Sequence, residues 1–167
     1  YVLAGDAVVQ INDTAYRVAP GDFGVVKVGT PHAWRAVGDR PVRWLQMAAP
    51  QPKPEGSERD TFFDARAAVG GEMPRALVAA DAGYPLGHFD ASQIPPVGQR
   101  QTAAAGLDGV FLKWLIDEQF GAVHHRMLFI EYQPGVSIGL HDHTFEEAYF
   151  ILSGEVEGTL DGKTYRA

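Results

Sequence analysis

Short apolar runs broken by Gly, Pro and Asx turns set the pattern of this chain from its first residues. Apolar and polar positions alternate on both sides of Asn12-Asp13, so residues 8–11 and 15–18 are expected to pair as a β-hairpin. Residues 23–28 and 42–47 read as further short strands, followed later by 110–116, 124–132, 138–143, 148–152 and 156–160. Asp161-Gly162 supplies a second hairpin turn. Residues 48–60 carry the Pro, Gly and charge content of a linker. Between 61 and 107 the chain is rich in Ala, Gly and Pro, with a short helix expected near 73–80. Many short strands joined by Gly/Pro turns indicate an all-β sandwich or barrel.

Residues 150–167 can be laid over residues 1–18. Leu152, Gly154, Tyr165 and Arg166 then fall on Leu3, Gly5, Tyr16 and Arg17, and the two hairpin turns coincide. The copies lie too far apart for a solenoid unit and suit two duplicated domains. Residue 1 is Tyr rather than Met and opens inside an apolar strand, while Ala167 follows another strand-like stretch. Both ends are therefore expected to be cuts in a longer chain.

Composition narrows the function classes. An apolar fraction of 46% with 21% charged residues describes an ordinary soluble globular protein. A net charge of −7 argues against a nucleic-acid partner, because neutralising phosphates needs a basic surface. No run approaches the roughly 20 apolar residues that span a bilayer, so no membrane partner is expected. The opening residues show no signal peptide, and the cytoplasm is the expected location. The absence of cysteine excludes disulfides, thiolate metal sites and cysteine nucleophiles.

The chemistry gathers in residues 135–154, GVSIGLHDHTFEEAYFILSG. Side chains at i and i+2 of a strand share a face, so His141 and His143 are expected to project two imidazoles to one side. Glu147 has the same parity and adds an anionic oxygen. Two neutral imidazoles and one carboxylate form a facial set with open coordination positions, suited to Fe(II) or another first-row divalent metal. The bland alternative is a hydrogen-bonded polar cluster at the surface.

The spacing Gly135, five residues, His141-x-His143, three residues, Glu147, six residues, Gly154 resembles the first signature motif of the cupin superfamily. Upstream, Gly21, Gly29, Pro31 and His32 resemble the second motif, which departs at Lys27, where the family usually has Pro, and at Ala36, where it usually has Asn. The resemblance implies a cupin-type jelly-roll β-barrel, here as a bicupin fragment with two incomplete barrels. Residues 1–49 would be the C-terminal half of the first barrel and 110–167 the N-terminal half of the second, with linker and irregular chain over 50–109. His32 is open to two readings: the metal ligand of the first barrel, or a packed histidine in a barrel without metal. It is not expected to complete the set of His141, His143 and Glu147.

The resemblance also implies a divalent transition metal (Fe, Mn, Ni, Cu or Zn) on His141, His143 and Glu147. A metal-dependent enzyme acting on a small organic molecule follows, with a non-haem dioxygenase placed first. Its alternatives are a metal-assisted hydrolase, decarboxylase or isomerase similar to ureidoglycine aminohydrolase, and a non-catalytic small-molecule-binding barrel. No catalytic residue can be named. A small-molecule substrate is the expected partner, and the parent protein is compatible with a homo-oligomer. Glu131 and Tyr149 share the inward parity and are candidates for substrate contact. His88 reads as a turn residue, His124 and His125 as strand residues, and Trp34, Trp44 and Trp114 as core or interdomain packing.

Overall fold

The computed structural model describes residues 1–50, 55–56, 61, 85–96 and 108–167. The expected helix near 73–80 lies outside these residues. Eleven strands are found among the described residues: β1 (Val2–Ala4), β2 (Asp6–Ile11), β3 (Thr14–Val18), β4 (Asp22–Gly24), β5 (His32–Val37), β6 (Arg43–Trp44), β7 (Leu86–His88), β8 (Val110–Ile116), β9 (Met127–Tyr132), β10 (Glu157–Leu160) and β11 (Lys163–Arg166). A single 3-10 turn over Ala91–Gln93 is the described helical element. The protein is all-β, as the turn-rich apolar pattern requires. Two compact units emerge, Tyr1–Ser137 and Ile138–Ala167.

In the first unit, β2 is the centre of a three-stranded antiparallel sheet of order β3-β2-β5. Ala7, Val8 and Val9 are almost wholly buried, so this strand is covered on both faces. Val9 and Ile11 join Val2, Val18 and Leu86 in one apolar cluster. A second cluster is aromatic, gathering Phe23, Phe89, Phe120, Leu115 and Ile116. Fully burying side chains of this size stabilises by about 1.5–3 kcal/mol each. The strap carrying β7 is pinned against β4, with Asp22 opposite His88, and by bonds from Phe89 N to Gly21 O and Val25 N to Pro85 O.

The two hairpins share one register. Ile11 faces Thr14 across the Asn12-Asp13 turn, and Leu160 faces Lys163 across Asp161-Gly162. At their far ends Ala7 pairs with Val18, and Val156 exchanges two backbone bonds with Ala167. Asn12 and Asp161 both adopt a positive φ, 53° and 49°, a conformation that Asx residues tolerate better than most.

Several expected strands are shorter or missing. Of 23–28 only the start joins β4, because Lys27 O accepts Thr30 N in a turn and Pro31 has no N–H to donate. Of 42–47 only Arg43–Trp44 pair, and the strand expected from residue 124 begins at Met127. Residues 138–143 and 148–152 form no strand: their alternation is present, but no neighbouring strand among the described residues supplies a ladder. The tryptophans are less buried than expected. Trp34 and Trp44 stack at 4.9 Å, and Trp114 lies half exposed beneath the Arg126 guanidinium.

Candidate metal centre

The glycines of both motifs sit where the backbone needs them. Gly135 and Gly154 have φ of 78° and 81°, and Gly21 and Gly29 have 91° and 74°. These values lie in the left-handed region, which side chains disfavour and glycine does not. The chain therefore turns sharply on both sides of the histidine pair.

Between those turns the side chains are fixed by local bonds rather than by a sheet. His141 Nδ1 lies 2.9 Å from Gly139 O, and His143 Nδ1 lies 2.8 Å from Phe145 O. A carbonyl oxygen only accepts, so each Nδ1 carries the hydrogen. In the neutral ring the lone pair is then left on Nε2. The Phe145 ring stacks on His143 at 4.0 Å.

Across the ring, His143 Nε2 lies 3.0 Å from Glu147 Oε2, and the Tyr149 hydroxyl donates to the same carboxylate oxygen. The bond from Tyr149 holds the Glu147 carboxyl below its ordinary range, with the His143 bond and charge adding to the effect. The bond to Glu147 holds the His143 imidazole above its ordinary value, reinforced by Phe145 O.

The structure thus brings His143 and Glu147 together and leaves His141 beside them, its ring centroid 6.1 Å from that of His143 and tilted by 57°. Among the described residues no three His, Asp or Glu side chains gather around one point. The expected shared strand face is not what orients the two imidazoles, since residues 138–143 are not a strand; the backbone carbonyls of Gly139 and Phe145 do so instead. In donor chemistry the set fits a divalent metal. Once His143 gives up the proton it shares with Glu147, both rings would offer Nε2 as the basic atom, beside a carboxyl held below its ordinary range.

His32 begins β5 in the first unit, exposed, with Nδ1 3.0 Å from Thr30 O. The same carbonyl device therefore orients its ring. His124 and His125 precede β9 rather than lying in it. Glu131 accepts a bond from Gln133 Nε2 at 2.8 Å. Two arrangements escaped sequence reasoning. Tyr149, expected by its parity to face the substrate, donates its hydroxyl to Glu147. His88 is a strand residue whose Nδ1 lies 2.7 Å from Asp22 Oδ1, a pairing 66 positions apart that no local pattern announces.

Residues 1–47 match the family model described as cupin domain. Over that stretch the chain is similar to the cupin superfamily. Comparison with curated proteins and with solved structures gave no match. The matched cupin stretch contains Gly21, Gly29 and His32, the residues aligned above with the family's second motif. Among the described residues no helix is long and apolar enough to cross a membrane.

Proposed function

We propose that this cupin is part of a metal-dependent enzyme acting on a small organic molecule, with His141, His143 and Glu147 as the metal ligands. One observation carries the reading: both imidazoles are held at Nδ1 by a backbone carbonyl, which leaves Nε2 of each ring, that of His143 now on Glu147, as the atom a metal would take. A hydrogen-bonded surface cluster has no need of two rings each held at Nδ1 by its own carbonyl. Bound there, iron, manganese, nickel, copper or zinc would supply a Lewis-acid centre with positions open to substrate. The chain's own residues divide the remaining work. Gly139 O and Phe145 O hold the two rings, and the Tyr149 hydroxyl steadies one oxygen of Glu147. Dioxygenase-type oxidation is the finer reading, because two imidazoles and one carboxylate leave room for both oxygen and substrate.

Metal content of protein purified without chelator tests this, combined with oxygen uptake over a panel of small phenolic and carboxylate compounds. Iron or copper with substrate-dependent oxygen uptake supports the dioxygenase. Zinc or manganese without uptake replaces it by metal-assisted hydrolysis, decarboxylation or isomerisation. A folded protein that takes up none of these metals sinks the enzyme reading.

Metal uptake should also depend on pH in a defined direction. A metal must displace the proton from His143, and that proton is held above the ordinary imidazole range by Glu147. Glu147 itself stays ionised throughout, since its carboxyl titrates lower than usual. Apparent affinity is therefore expected to rise with pH through and beyond the ordinary imidazole range, then level off. A titration series followed by calorimetry checks it; affinity that does not change from acid to neutral pH counts against His143 as a ligand.

The two-barrel organisation belongs to the same proposal, with residues 1–49 as the back of one cupin, 110–167 as the front of a second and 50–109 between them. Its support is the common register of the two hairpins, together with Gly5 at φ 74° in the place that Gly154 takes at 81°.

A further inference from the structure

A cavity of about 580 Å³ lies wholly within the first unit, between the strap of β7 and the face of β8. Its size is that of a small-molecule site. Phe23, Phe89, Phe111 and Phe120 form its apolar wall. Those rings pack against one another and against Phe129, with Phe23–Phe120 centroids at 5.5 Å and Phe89–Phe129 at 4.7 Å. The wall is therefore built before any ligand arrives.

Strand parity explains what else enters. Phe111, Lys113 and Leu115 alternate along β8 and line the cavity; Trp114, of the opposite parity, borders it as well, next to the register shift in β8. Lys113 is exposed, its ammonium 5.8 Å from the centroid of the Phe89 ring, and among the described residues it has no carboxylate partner. The two acids of the lining are turned to their own backbone. Asp90 accepts Ser92 N at 2.9 Å, and one oxygen of Asp117 accepts both Gln119 N and Phe120 N at 3.0 Å. On the opposite side His88 is fixed by Asp22, the one buried charged residue among the described residues. Asp22 is held in turn by Ala19 N at 2.7 Å. That leaves His88 Nε2 without a hydrogen-bond partner among the described residues.

We infer that this cavity is a binding site for a small aromatic carboxylate, its ring taken by the phenylalanine wall, its carboxylate by Lys113 and a polar substituent by His88. An unpaired ammonium beside an aromatic wall selects an anion attached to a flat apolar body. An ammonium-bearing ligand would instead meet like charge at Lys113, while the carboxylates of Asp90 and Asp117 already accept backbone N–H groups. The inference is independent of the metal reading, since no residue of the 135–154 motif takes part.

The test is a titration of the full chain, in the presence of EDTA, with benzoate, benzamide and benzylamine, followed by NMR chemical shifts. Benzoate is expected to bind saturably and at least tenfold more tightly than the other two. Lys113→Met should remove that preference and Lys113→Arg keep it; both changes fall on an exposed strand position, and circular dichroism confirms the fold. A His141→Ala, His143→Ala variant should bind benzoate unchanged. The site is overturned by absent or non-saturable benzoate binding, by benzamide or benzylamine binding as tightly, by a preference that survives Lys113→Met, or by its loss in the double histidine variant.

Discussion

Replacing His141 and His143 together by alanine should reduce bound metal from about one per chain to the background of a chelator-treated control. The expected loss in affinity is large because the change removes the proposed ligands themselves. Loss of a group that merely orients a ligand typically costs about 10–100-fold, and removing two ligands should exceed that. Glu147→Gln keeps the shape of the side chain but removes its charge, and should fall between the double variant and the parent. Tyr149→Phe is the finer probe. It deletes the hydroxyl that donates to Glu147 and leaves the ring, so affinity should fall roughly 10–100-fold with the metal still bound at saturation. Elemental analysis gives the stoichiometry and competition with a metallochromic chelator gives the affinity. Unchanged metal content in the double variant would refute the assignment. An unaltered affinity in Tyr149→Phe would show that the contact with Glu147 does nothing for the metal.

What the sequence made legible was local. The Asn12-Asp13 and Asp161-Gly162 turns fixed both hairpins, and the apolar run Val110–Ile116 became a strand with those bounds. The spacing of His141, His143 and Glu147 marked the candidate site, and the family match to residues 1–47 agrees with the fold that spacing implied. What stayed hidden depends on partners far along the chain. A strand is a relation between two segments, so the alternation of 138–143 and 148–152 was necessary for strands but not sufficient. The short β7 has too few residues to show a period, yet its pairing with β4 places His88 on Asp22. Tyr149 shows how far parity reasoning goes. It put the side chain near Glu147, but only geometry shows that its hydroxyl donates there.

The largest stability effect should come from a glycine outside the metal motif. Gly5 is buried between β1 and β2 with φ 74°. A Cβ built there would collide with Pro41 O and stand only 2.9 Å from both the Pro41 carbonyl carbon and Val42 Cα. Those atoms are backbone leading into β6, so they cannot rotate away as a side chain would. Gly29 has the same φ of 74° but nothing within 4 Å of its Cβ position. The two positions therefore separate strain from collision. Gly29→Ala should cost only the left-handed penalty, about 1–2 kcal/mol. Gly5→Ala should add overpacking of roughly 1–3 kcal/mol, for a total of about 2–5 kcal/mol. The excess should be felt first where β1 pairs with β6, with Val2 opposite Trp44. Trp44 stacks on Trp34, so tryptophan fluorescence during urea unfolding reports on this region. Gly5→Ala is expected to unfold at distinctly lower urea than Gly29→Ala, which in turn unfolds below the parent. Equal midpoints for the two variants would mean that the backbone at Pro41 yields to the added methyl, and that the β1–β6 pairing is looser than its contacts imply.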